Sequence, residues 1–293
     1  MSSTAVIHRH TASGRHFDVG GVKSFVLEKG AGTPVVCMHG VPASCFLYRK
    51  LLPELAHRGL RGVAFDLPGL GLADRPTDFD YSWTGLGRFS VDAIGALEID
   101  RFHLVIHDIG GPVGLEVAAA LPGKILSLTV LNTLIRVESF VEPWVMRPFA
   151  VPIVGKLWLM SLVKPVFRQL MALQGIHDFR SVPAAEIDAY VDLLKREDDG
   201  RAFLRIMRSY ETTAAKESLY LDTLRERSYP AQVIWGERDP ALKMARYGEE
   251  ARHAVGVETI HTVPGKHFLQ EDNAAAIADR IVVLARSLSE QST

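Results

Sequence analysis

The sequence predicts an α/β fold: a mostly parallel central sheet with helices on both faces, interrupted by an inserted helical cap. Three observations carry this. Short apolar runs of strand length alternate with helical spacing from Pro34 to about residue 132. The alternation resumes after residue 228 and continues towards the C-terminus. Between the two, residues 133–227 keep helical periodicity and offer no strand pattern.

Taken in order, Arg15 to Asp18 and Gly21 to Leu27 predict an opening antiparallel pair turning at Gly20-Gly21. Pro34 to Met38 reads as a buried strand ending in His39-Gly40-Val41-Pro42, after which Ser44 caps a helix running to His57. Gly62 to Phe65 is the next strand, and a turn-rich loop, Asp66-Leu67-Pro68-Gly69-Leu70-Gly71, leads from it to Arg75-Pro76. Trp83 to Leu97 has the apolar spacing of a helix. His103 to His107 is a strand, Gly110 to Leu121 the helix that follows, and Ile125 to Leu131 another strand. Within the insertion, Pro148 to Phe167 is apolar enough to raise the question of a membrane. Lys156, Lys164 and three prolines interrupt it short of the ~20 uninterrupted residues that a span requires. It reads better as a lid over an apolar pocket than as a membrane-surface segment. Gln232 to Trp235 and Val257 to His261 are the last strands, and the final helix is amphipathic through Ile277, Ile281, Val282 and Leu288. The expected organisation is a core of residues 1–132 and 228–293 with a cap of residues 133–227.

Composition narrows the function. The 293 residues are 47% hydrophobic and 23% charged, the content of a globular chain with a sizeable core. A net charge of −1 argues against a nucleic-acid or acidic-membrane partner recognised by bulk charge. Two cysteines, Cys37 and Cys45, fit a reducing compartment rather than a disulfide framework. The first fourteen residues read as an irregular polar terminus without an apolar run of signal-peptide length, so the expected location is the cytoplasm. His8 and His10 lie there and His16 just beyond, without zinc-motif spacing, and no metal or cofactor is expected. Cys45 reads as a small packing residue.

The chemistry centres on His103-Leu104-Val105-Ile106-His107-Asp108-Ile109-Gly110-Gly111. An apolar strand runs into an acidic residue and then two glycines, the outline of a nucleophile elbow with Asp108 where a serine usually stands. Alone, Asp108 is equally well read as a helix cap. Two further groups follow later strands: Asp239 in Trp235-Gly236-Glu237-Arg238-Asp239, and His267 in Val263-Pro264-Gly265-Lys266-His267. The chain order is nucleophile, acid, histidine, and such groups are expected outside the carboxyl ends of the strands.

With these motifs, the sequence resembles the α/β-hydrolase superfamily, in the branch with an aspartate nucleophile that contains epoxide hydrolases and haloalkane dehalogenases. The resemblance spans nearly the whole chain. It rests on His39-Gly40-Val41-Pro42, the Asp66 to Gly71 loop with Arg75-Pro76, the elbow, Trp235-Gly236-x-x-Asp239, and Gly265-x-His267-Phe268-Leu269-Gln270-Glu271-Asp272. It implies a catalytic triad of Asp108, Asp239 and His267, and an oxyanion hole made by the backbone N–H groups of Val41 and Ile109.

A carboxylate with a reference pKa near ~3.9 is already ionised at neutral pH and needs no base before it attacks. Attack on an sp3 carbon gives an alkyl ester on Asp108. His267, oriented by Asp239, then activates the water that hydrolyses it. The partners implied are a small apolar molecule and water. His39 and His107 read as structural hydrogen-bonding residues beside the site.

The leaving group divides two readings. A departing halide needs N–H donors, which the dehalogenases place after the nucleophile, after His-Gly and in the cap; here Ile109 and Val41 hold the core positions, and Trp158 falls near the cap one, with Trp144 as a second possibility. An epoxide oxygen needs an acid, and Tyr210 falls where the epoxide hydrolases place the second of two cap tyrosines. Phe46-Leu47-Tyr48-Arg49 and the His267 to Asp272 run are closer to dehalogenases. Donor chemistry outweighs overall likeness, so the expected function is an epoxide hydrolase, the alternative a haloalkane dehalogenase, and a third reading a non-catalytic small-ligand binding protein.

Overall fold

Among the described residues eight strands form one sheet; with β1 to β8 numbered along the chain (Arg15–Val19, Val22–Lys29, Pro34–Met38, Arg61–Phe65, Phe102–Asp108, Ile125–Thr133, Ala231–Gly236 and Ile260–Val263), the order across it is β1-β2-β4-β3-β5-β6-β7-β8. The computed structural model describes residues 1–290; residues 291–293 at the end of the expected core, and the side chains of 288–290, lie outside the described set. β1 (Arg15–Val19) and β2 (Val22–Lys29) pair antiparallel, as does β2 with β4 (Arg61–Phe65). All other neighbours are parallel: β3 (Pro34–Met38), β5 (Phe102–Asp108), β6 (Ile125–Thr133), β7 (Ala231–Gly236) and β8 (Ile260–Val263). The central strands β3 and β5 are buried along almost their whole length. That is why they read as continuous apolar runs rather than as alternating ones.

Among the described residues the helices are α1 (Ser3–Ala12), α2 (Leu51–His57), α3 (Trp83–Ala96), α4 (Gly110–Ala120), α5 (Arg147–Ala150), α6 (Pro152–Ser161), α7 (Lys164–Leu170), α8 (Ala184–Lys195), α9 (Arg201–Arg208), α10 (Ala214–Glu226), α11 (Glu249–Val255), α12 (Leu269–Asp272) and α13 (Ala274–Glu290). α2 and α13 pack together against the sheet, while α4 packs with α3 and α10 as a second group. Every element between β6 and β7 is helical. Of these, α10 rests on α4, where Lys216 and Tyr220 both reach Glu116.

Four local expectations are corrected. Residues 3–12 are not an irregular terminus. Ser2 accepts a hydrogen bond from the Ala5 N–H and caps α1, which buries Val6 and His10 one turn apart. The His10 ring lies 5.0 Å from Phe25 and 5.1 Å from Phe46, partners that no local pattern reveals. The helix expected from Ser44 to His57 is split into a 3-10 turn, Cys45–Arg49, and α2. Pro53 has no N–H to bond back to the Arg49 carbonyl, so one unbroken α-helix cannot cross this point. β8 begins three residues later than expected, because the Val257 N–H is taken by Arg252 at the end of α11. The turn Met244–Gly248 and α11 were not anticipated at all.

One buried ion-pair cluster fastens the inserted helices to the sheet. Arg49 reaches Glu271 at 2.6 Å and Glu186, on α8, at 2.5 Å. Lys50 and the Tyr190 hydroxyl add further contacts to Glu271, whose side chain is completely buried. Burial would raise the Glu271 pKa, but Arg49 and Lys50 outweigh it and hold the carboxyl below its ordinary value of 4.5. Removing one partner of a buried pair leaves an uncompensated charge. Arg49→Met should therefore cost about 3 kcal/mol in urea unfolding at neutral pH. The contribution of Glu271 is present above pH 4.5 and lost as the pH falls through its lower folded value, so the gap between wild type and variant should narrow in acid. A gap that stays constant down to strongly acidic pH would exclude this account.

Candidate active site

Asp108 ends β5 with φ +53°, a left-handed conformation that L-residues other than Asn and Asp rarely adopt. Its neighbours leave room for nothing larger. A Cβ on Gly40 would lie 2.0 Å from Asp108 Oδ1, and one on Gly110 would lie 2.5 Å from the Met38 carbonyl oxygen. The Thr133 hydroxyl donates to the Asp108 carbonyl oxygen at 2.5 Å, tying the turn to the end of β6. α4 starts at Gly110, so its positive N-terminal end faces the Asp108 carboxylate.

The two carboxylate oxygens have different surroundings. Oδ1 accepts the Val41 N–H at 2.7 Å. Oδ2 is 3.3 Å from His267 Nε2. On its other side the imidazole donates from Nδ1 to Asp239 Oδ2 at 2.8 Å. Asp239 is fully engaged: Asn132 Nδ2 donates to Oδ2 at 2.7 Å, and the Ala241 and Leu242 N–H groups donate to Oδ1 at 2.8 and 3.0 Å. The structure thus brings Asp108, Asp239 and His267 together at the carboxyl ends of the parallel strands, with Val41 alongside. The Ile109 amide also bears on the Asp108 carboxylate.

Asn132 was not singled out from the sequence. Its amide oxygen accepts the Gly236 N–H at 2.9 Å while its nitrogen holds Asp239, so it links β6 to the start of the Asp239 loop. An asparagine ending an apolar strand was the one available signal.

Burial alone would lower the His267 pKa, but the flanking carboxylates of Asp239 and Asp108 outweigh it and raise the value from 6.5 to about 10. Burial pushes the Asp108 carboxyl up; the hydrogen bond and charge of His267, helped by His107 and the Ile109 amide, bring it below its usual range. Both shifts run in the direction that favours an imidazolium between two carboxylates. His107 differs: burial and the nearby His267 lower it to about 4. It is neutral, and its Nε2 donates to the His267 carbonyl oxygen at 2.8 Å. His39 is also neutral by burial, donating from Nδ1 to the Gly40 carbonyl and accepting the Leu67 N–H at Nε2, each at 3.0 Å.

An apolar cavity lies over Asp108 and His267, walled by residues of the inserted helices such as Phe149, Trp158, Leu162 and Phe167. Its polar lining is sparse. Tyr210 reaches it, and its hydroxyl has only the Met207 sulfur, 3.1 Å away, as partner. Burial raises the Tyr210 pKa well above 10, and the charges of Asp108 and Glu142 raise it further. Glu142, also unanticipated, lines the same cavity, where burial raises its carboxyl against the opposing effect of Arg147. Trp158 departs from expectation. Its ring lines the cavity, but its N–H donates to the Val145 carbonyl at 3.1 Å and is not free for a leaving group. Trp144 is 63% exposed and absent from the lining. Among the described residues no cluster of metal-ligating side chains occurs.

Residues 33–274 match the family model described as alpha/beta hydrolase fold. A haloalkane dehalogenase of Mycobacterium marinum is 29% identical over 261 residues, covering 86% of this chain and 84% of that protein. Two solved structures share the fold. Haloalkane dehalogenase DbeA from Bradyrhizobium elkani has a TM-score of 0.80 at 22% identity, over 95% of this chain and 99% of that one. The epoxide hydrolase CorEH has a TM-score of 0.74 at 18% identity, over 94% and 99%.

The electrostatic description has a direct check. His267 should remain protonated at pH 8 in nitrogen-detected imidazole spectra, and Asp239→Asn should return its titration towards 6.5. Because the folded value is the higher one, the stability it contributes is complete below pH 6.5 and disappears as the pH rises to about 10. His267→Gln should flatten that part of the stability profile. A wild-type imidazole already neutral at pH 7 would refute the ion-pair description.

Proposed function

The chain belongs to the alpha/beta-hydrolase fold family, and from that premise we propose that it hydrolyses small to medium apolar epoxides through an ester on Asp108. Similarity to dehalogenases and epoxide hydrolases supports a hydrolase of this family. The observation that supports the finer reading is the state of the two cap candidates: Tyr210 lines the cavity and its hydroxyl has only a sulfur partner among the described residues, whereas the Trp158 N–H is already spent on a backbone carbonyl.

In this mechanism Asp108 Oδ2 attacks an epoxide carbon, since Oδ1 is held by the Val41 N–H. The C–O bond breaks, and the departing oxygen takes the Tyr210 proton. Esterification removes the negative charge of Asp108, one of the two that keep His267 protonated. The imidazolium then passes its proton through solvent to the Tyr210 phenolate, which restores the tyrosine and leaves His267 neutral and able to act as base. Water gives a proton to His267 and its oxygen to the Asp108 carbonyl carbon. The oxyanion forms on Oδ1, against the N–H groups of Val41 and Ile109, where loss of one donor typically costs ~3–4 kcal/mol. Collapse breaks the carbon–Oδ2 bond, the departing oxygen takes the proton from His267 and leaves in the diol, and the proton on the regenerated Asp108 carboxyl returns to His267. The helical segment of residues 133–227 serves as the cap that keeps bulk water from the ester.

The haloalkane reading keeps the same triad and is favoured by the M. marinum relative. It lacks a side-chain N–H aimed at the halide, since Ile109 follows the nucleophile and Trp158 is engaged.

Intact mass of His267→Gln incubated with epoxides and haloalkanes separates the two readings. A gain equal to the whole epoxide on the Asp108 peptide is expected; a gain equal to the alkyl group alone would transfer the assignment to dehalogenation. Trapping on no substrate, with tight binding of a small apolar ligand, would mark a non-catalytic binding protein. Tyr210→Phe should slow ester formation about 10²–10⁴-fold, and a loss below about tenfold would remove Tyr210 from the acid role.

A further inference from the structure

The exposed apolar side chains of the described residues are concentrated on one stretch. Ile153 (76% exposed), Leu157 (62%), Met160 (63%) and Trp144 lie on it, with Val163 and Leu173 beyond. On α6, Ile153, Leu157 and Met160 follow the spacing i, i+4, i+7 and form one outward stripe, whereas Gly155 and Leu159 face inward. A surface helix normally turns its apolar stripe towards the core. α6 turns Trp158 and Leu159 inward and carries a second apolar stripe outward, and an apolar surface of this extent marks an interaction site.

Charge indicates the kind of partner. Residues 141–173 contain four cations, Arg147, Lys156, Lys164 and Arg168, against Glu142 alone, a net +3 on a chain whose total is −1. Lys164 and Arg168 are paired with Asp192 and Asp188 on α8. Glu142 lines the cavity, and Lys156 has no carboxylate partner among the described residues. With those pairs closed, Arg147 and Lys156 are the cations left without a carboxylate partner among the described residues, so the outer face is apolar with a small positive excess.

The cavity opens beside it. Phe140, Glu142, Met207 and Tyr210 line both the deep cavity and a shallower, more open one edged by Arg147 and Arg208. Arg208 donates to the carbonyls of Val151 and Pro152, which places this mouth at the N-terminal end of α6.

We propose that this face docks on an anionic lipid surface, with α6 lying in the interface plane and the cavity mouth at its edge. An outward apolar stripe with an exposed tryptophan and unpaired cations matches the chemistry of the headgroup boundary. A second copy of the chain fits less well, because an isologous contact would set two net-positive faces against each other. No described helix is long and apolar enough to cross a membrane, so the association is peripheral. Delivery of a bilayer-dissolved substrate into the cavity rests on the hydrolase reading above; docking itself does not.

Flotation of the full chain with vesicles of phosphatidylcholine, with and without phosphatidylglycerol, tests this by protein mass alone, so it fails independently of the adduct experiment. The wild type should float with the phosphatidylglycerol vesicles at low salt and lose most of that binding at high salt. Lys156→Glu should weaken it roughly tenfold, and the combined Ile153→Glu, Leu157→Glu, Met160→Glu variant should abolish it. Where the triple variant melts early, Leu157→Gln alone is read instead, with a partial loss expected. Absence of flotation on either vesicle, or equal flotation of the variants, overturns the proposal. A wild-type dimer that the triple variant dissociates, without vesicle binding, overturns it too and makes a second copy the occupant.

Discussion

Asp108 sits in a left-handed turn between the end of β5 and the start of α4, and the arrangement of the site depends on that single backbone conformation. Holding a non-glycine residue there costs roughly 1–3 kcal/mol, which the surroundings must offset. They do so through contact. Gly40 and Gly110 allow neighbouring backbone and side chain to approach without a Cβ, and Thr133 anchors the turn's carbonyl. The same turn lifts the carboxylate above the sheet, where Val41 meets one oxygen and His267 faces the other. A relaxed turn would lose both relationships together.

The second constraint is electrostatic. A carboxylate under an apolar cavity is costly unless it is paired, and Asp108 is paired with an imidazole that Asp239 also holds. Asp239 needs its own partners, which come from Asn132 and two loop amides. The chain of dependence runs outward from β5 through β8 and β7 to β6. His107 and His39 lie in the same region but are committed to backbone groups and kept neutral, so they add order without adding charge.

Much of this was legible in the residues. β3 and the antiparallel opening could be read from short apolar runs and their turns, and the elbow from an acid followed by two glycines. What escaped was set by distant partners. α1 is polar along most of its length and becomes orderly only because Phe25 and Phe46 receive His10. Trp158 could be placed in the pocket wall, but whether its N–H was free depended on a carbonyl thirteen residues earlier in the chain. Asn132 carried no local signal of its partnership with Asp239. The sequence showed that Pro148 to Phe167 is apolar; it could not show that Ile153, Leu157 and Met160 turn outward while Leu159 turns inward, because that depends on how the helix packs.

The backbone around His267 is fastened to the inserted helices. Its N–H donates to the Gln174 carbonyl at 3.3 Å, the next N–H, of Phe268, donates to Gly175 at 2.9 Å, and Lys266 reaches the Ala172 carbonyl. A cover joined in this way to the residue it shelters cannot swing open as a rigid lid without pulling that residue out of register. Phe140 and Met207 line both the deep cavity and the shallower one beside it, so rotation of their side chains, in the nanosecond regime, can change the connection between the two without any movement of that backbone. The fastening thus separates two timescales: fast side-chain motion in the cavity wall, and slow backbone opening that would carry His267 with it.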